Sequence, residues 1–105
     1  MIAFETNDLI QQRADAGKLY LEFLRVPSMS MGLYTLEVGA ADPQQPHNED
    51  EVYYIVSGRG QIYVAGENQS VQAGSIVFVA AHDEHYFHSI EEILDILVFF
   101  APAET

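Results

Sequence analysis

At 105 residues the chain fits one domain able to bury roughly two-thirds of its unfolded surface, and an apolar content of 49% excludes wholesale disorder. Sixteen Asp and Glu against four Lys and Arg give a net charge of −12, which repels a phosphate backbone or an anionic membrane and argues against nucleic-acid and membrane partners. The absence of cysteine excludes disulfides and thiolate metal sites.

Asp8 to Gly17 contains good helix formers and a terminal glycine but is too short to hold a helix by itself, so one or two loose turns are expected. Lys18 to Val26 alternates Leu19, Leu21 and Phe23 with Tyr20, Glu22 and Leu24 and reads as a strand ended by Pro27. Met31 to Gly39 is rich in strand formers and is broken by Gly39-Ala-Ala-Asp-Pro43. The opening residues carry neither a charged n-region nor an apolar h-region, and no apolar run approaches the ~20 residues of a membrane span, so a cytoplasmic location is expected.

The loop that follows concentrates the chemistry. Gln45, His47 and Glu51 share odd parity, so a near-extended backbone points all three to one side. Glu49 shares that parity but is expected, with Asp50, to be solvated. Val52 to Val56 is an apolar strand; Ser57-Gly-Arg-Gly60 reads as a tight turn, and Gln61 to Ala65 as the returning strand of a hairpin. Short strands at Ser70 to Gln72 and Ser75 to Ala80 precede the loop Ala81-His-Asp-Glu84. Two more follow, His85 to Ile90 and Ile93 to Phe100. Strands at this spacing, with Gly and Pro between them, indicate an all-β sandwich or barrel. Tyr53, Ile55, Ile62, Val64, Phe78 and Phe87 are candidates to line its interior. Val52 to Val56 and Ile93 to Phe100 are apolar on both faces, so their outer face needs a cover, either the N-terminal segment or a second copy; a two-fold homodimer is expected.

Gly39, His47, Glu51 and Gly58 stand in the register of the motif Gly-x5-His-x-His-x3-Glu-x6-Gly, and His85 follows Gly74 where a second motif carries a late histidine. In these residues the chain resembles the cupins. The resemblance covers about residues 31–101 and implies a single-domain jelly-roll β-barrel over 1–105, with residues 1–30 as an N-terminal strand and turn segment. It implies a divalent metal ion (Fe, Mn, Ni or Zn) held by Gln45, His47, Glu51 and His85, with Gln45 standing where the family has its first histidine. A Gln, His, Glu, His set is similar to that of the type I phosphomannose isomerases. Ser75, Ala80, Ala81 and Ser89 depart from the usual second motif and imply a less rigid loop before His85.

Two imidazoles and one carboxylate leave coordination positions open for water or substrate. The expected partner is a small-molecule ligand or substrate: an organic acid, phenol or diketone, handled by dioxygenase-type chemistry. A non-catalytic binding module and a metal-dependent isomerase or lyase remain alternatives, because the fold hosts all of these. His82, in the loop at the barrel mouth, is either an acid-base partner or a solvated histidine; His88 falls on the opposite face from His85 and is expected to be structural.

Overall fold

Alternating apolar residues, broken by Gly and Pro, carry most of the chain into strands in the computed structural model, which describes residues 1–105. The order is α1 (Thr6–Ala16), β1 (Tyr20–Val26), β2 (Met29–Leu36), β3 (Asp50–Val64), β4 (Glu67–Gln72), β5 (Ile76–Val79) and β6 (His85–Ala101). All neighbours pair antiparallel in the order β1-β2-β6-β3-β4, with β5 on β3, and the sheet curls into the jelly-roll barrel. Tyr53, Ile55, Ile62, Phe87, Leu94 and Ile96 fill the interior at 1% exposure or less.

Four expectations change. The segment Ser57-Gly-Arg-Gly60 does not turn back: β3 runs through it, bulging between Ile55 and Gln61 against β6. Gly58 has φ +97° there, and a Cβ at that position would meet the backbone of Ile93, so the glycine serves a bend with close strand contact. Asp95 accepts hydrogen bonds from Ser57 Oγ at 3.1 Å and Thr35 Oγ1 at 2.7 Å, giving the bulged region polar partners. His85 to Ile90 and Ile93 to Phe100 are likewise one strand, β6.

The N-terminal turns form an 11-residue helix. Its tertiary contacts supply what its length does not: Leu9 is buried, and Gly17 closes the end in the left-handed conformation with its N–H on Ala14 O. The helix lies against β1 and β2. Phe78 points outward at 61% exposure, because the strand parity of β5 places Val77 and Val79 inside and Ile76 and Phe78 outside.

The β3–β6 ladder runs from Glu51 opposite Phe100 to Val64 opposite His85. In a flat sheet Glu51 and His85 would lie about 40 Å apart. The bend at Gly58 folds the ladder over and brings those two ends together.

Candidate metal centre

His47, Glu51 and His85 each bring one ligand atom into a group whose members all lie within 4.8 Å of one another. Glu51 comes from the start of β3 and His85 from the start of β6. His47 lies in the preceding loop. The loop between β5 and β6 is tied to this region by Ala81 N–H on Asp50 Oδ1 at 2.9 Å and His82 N–H on His47 O at 2.7 Å. These ties act where the departures from the second motif predicted slackness. The His82 side chain is exposed and its residue adopts φ +70°, so it contributes through its backbone. His88 contacts Asn68 Oδ1 at 2.7 Å, away from the group.

Glu51 Oε1 lies 2.8 Å from His85 Nε2 and 4.0 Å from His47 Nε2. Neither Glu51 oxygen nor His85 Nε2 has a hydrogen-bond partner of acceptable geometry, although all are buried. Two donors each ~2.1 Å from a shared ion can lie up to about 4 Å apart, so the 2.8 and 4.0 Å separations are compatible with one metal between them. The His85 ring is the close counter-group of this buried carboxylate but does not satisfy its oxygens with a well-directed hydrogen bond, and a divalent cation would satisfy both partners. The residues present therefore fit a metal ion.

The imidazoles are oriented from behind. His85 Nδ1 donates to Asp83 O at 2.8 Å, which leaves Nε2 as the free lone pair. Burial alone would depress the His85 pKa, but Glu51, the Asp83 carbonyl and Asp42 outweigh it and hold the pKa above 6.5. His47 Nδ1 lies 3.2 Å from Glu104 Oε2, so Nε2 is again the inward atom. Tyr53 OH is buried without a partner; burial first, then the Glu51 charge, raise its pKa well above 10 and keep it a proton donor.

Of the four residues predicted as ligands, the structure brings His47, Glu51 and His85 together and does not bring Gln45. Gln45 is exposed, and Gln44 Oε1 lies 2.8 Å from His47 Nε2 instead. The parity argument fails because residues 41–47 form no strand. Pro43 and Pro46 break the period, and Asp42 sets the path: it accepts Gln44 N–H at 3.2 Å, Phe87 N–H at 2.8 Å and the Tyr34 hydroxyl. A 180° turn exchanges the two ends of the amide, so Gln44 can present its oxygen to a cation or its N–H to His47 Nε2.

Glu49, expected in solvent, is buried at 4% exposure, since Thr105 folds over it and donates N–H and Oγ1–H to its Oε2 at 3.2 and 2.9 Å. The sequence reading missed Asp42, Gln44 and Glu104. The Asp-Pro pair was a signal for the first, whereas nothing local marks Glu104. A cavity of about 200 Å³ is lined by Tyr20, Gln44, Val98, Phe100 and Glu104, of which Gln44, Phe100 and Glu104 contact the His47 ring. A larger depression of about 570 Å³, at Ile62, Ser70 and Phe78, involves none of them.

The family model described as "Cupin domain" matches residues 32–100. An uncharacterized protein of Streptomyces coelicolor is 48% identical over 105 residues, covering 100% of both chains. Among solved structures, TT1209 from Thermus thermophilus superposes with a TM-score of 0.80 at 22% identity, covering 98% of this chain and 99% of that one. The DMSP lyase DddQ from Ruegeria pomeroyi gives 0.71 at 18% identity, covering 84% of this chain and 49% of that one. At such identities the two structures show likeness of fold.

Proposed function

The chain belongs to the cupin family, and on that footing we propose that it binds a divalent metal ion through His47, Glu51 and His85, with Gln44 as a fourth donor, and acts on a small organic molecule. The observation that carries this reading is the convergence of buried Glu51 and His85, neither of which makes a well-directed hydrogen bond at the facing atoms, beside His47. When bound, the metal would supply Lewis acidity or, if redox-active, a site for oxygen chemistry. The chain's own groups orient the imidazoles, shield the site with Phe100 and Val98, and offer the Tyr53 hydroxyl as a donor.

The cavity lined by Gln44, Phe100 and Glu104 is smaller than the ~300–1,000 Å³ of sites that take drug-sized ligands, which favours a compact substrate. Its lining has no Lys or Arg, so a ligand would be anchored by oxygen donation to the metal. A phenol, a diketone or a small organic acid undergoing a dioxygenase-type reaction fits these terms. A metal-dependent lyase or isomerase is the second reading, favoured by the buried Tyr53 proton donor and by a solved lyase of the same fold.

The proposal extends to a cytoplasmic location and a homodimer. No helix is long and apolar enough to cross a membrane. The outward-facing Tyr54, Ile76, Phe78 and Ile93 are 38–69% exposed, and α1 lies on β1 and β2 instead.

Metal analysis of untagged protein, with oxygen uptake over a panel of small phenols and diketones, tests the reading. Bound iron, copper or manganese with oxygen consumption is the expected result. Zinc without oxygen uptake would favour the lyase or isomerase. Failure to bind any of these metals, or nickel, would overturn the metal site and leave a non-catalytic binding module.

A further inference from the structure

We infer that Glu104 is a positioning residue of the centre, and that residues 102–105 form a strap holding the His47 ring in its metal-facing orientation; this rests on the metal-site reading above. Glu104 Oε2 meets His47 Nδ1 at 3.2 Å, on the side of the ring opposite the donor group. A carboxylate there favours the tautomer with the proton on Nδ1, leaving Nε2 unprotonated toward Gln44 and Glu51, and strengthens the nitrogen as a donor.

The strap is held independently of that contact. Glu104 N–H donates to Ser30 Oγ at 3.0 Å, and its carbonyl accepts from Arg25 Nη2. The next residue, Thr105, donates N–H and Oγ1–H to the buried Glu49 carboxylate. Glu49 lies between His47 and Glu51, so the loop grips the strap and the strap grips the loop. A buried carboxylate needs such donors, which makes the docking of Thr105 a requirement of Glu49 as much as an aid to His47.

Glu104 also lines the cavity, together with Tyr20, Gln44, Val98 and Phe100. Displacing the strap would therefore open that cavity and release the His47 ring in the same movement.

Cobalt(II) affinity, measured against a chromophoric chelator, and the Co(II) ligand-field spectrum test the inference on wild type, Glu104→Gln and Glu104→Ala. Nitrogen-15 NMR of the metal-free proteins reads the His47 tautomer. Glu104→Ala is expected to weaken Co(II) binding by about 10- to 100-fold, shift the spectrum and mix the tautomers. Glu104→Gln, which keeps an acceptor oxygen, should restore most of the affinity and the Nδ1–H tautomer. If both variants bind Co(II) as wild type does and keep a single tautomer, the role of Glu104 is overturned while the metal site stands. If wild type itself fails to bind Co(II) at millimolar concentration, the metal reading falls and the inference falls with it. Thermal unfolding of each metal-free variant separates these effects from loss of fold.

Discussion

Glu51 brings a carboxyl group into the barrel interior at 2% exposure, with His85 Nε2 2.8 Å from one oxygen and no well-directed hydrogen bond to either. Its removal should act on metal binding and on the His85 pairing together. In Glu51→Gln the metal-free protein is expected to be somewhat less stable than wild type, because His85 Nε2 loses its buried counter-group. At a metal concentration 100 times its Kd, wild type should gain about 2.7 kcal/mol and the variant almost nothing. Calorimetry with and without metal checks both halves. His85→Ala should also lose the metal-dependent gain. For the neighbouring glutamines the contacts predict a split: Gln44→Ala shortens the half-life of bound metal against a chelator, and Gln45→Ala leaves it unchanged. Equal half-lives for both would remove Gln44 from the donor set. At this scale the sequence made His47, Glu51 and His85 legible, because each stands at a motif position anchored by a glycine. It hid Gln44 because a loop has no period, and Glu104 because its contact with His47 arises only from tertiary folding.

At the scale of elements, the strands of the barrel could be read from alternation and β-branched residues, with bounds shifted by a few positions. Continuity could not. Gly58 demands a positive φ in a tight turn and in a strand bulge alike, so the residue marked an interruption without saying whether the chain reverses there. The answer lies in β6, whose backbone at Ile93 occupies the space a side chain would need. Gly58→Ala is therefore expected to destabilise by about 2 kcal/mol or more, through strain and backbone collision together. A urea midpoint near wild type would show the bend to be more tolerant than this. The helix errs the other way: local signals undervalued it because its stability is tertiary. Leu9→Ala should cost about 2–4 kcal/mol, with loss of helical signal by circular dichroism.

For the whole molecule, the exposed apolar side chains on β3 and β5 set the expected assembly. Light scattering at micromolar concentration should report about twice 11.7 kDa. Ile76→Asp, at 69% exposure in one copy, should fold and run as a monomer. A wild-type monomer would instead leave the outer face uncovered in solution. The ladder whose far ends meet at the metal centre has a further consequence for kinetics. Glu51 and His85 become neighbours only after β3 and β6 have paired along their length and bent, so the donor set is assembled late and through contacts distant in sequence. A metal ion that recognises that set has little to hold in the transition state for folding. Its stabilisation should therefore appear almost wholly in the unfolding arm of the chevron, with the refolding rate the same in metal and in chelator. The metal then acts as a lock on the finished barrel, lengthening its lifetime without guiding its formation.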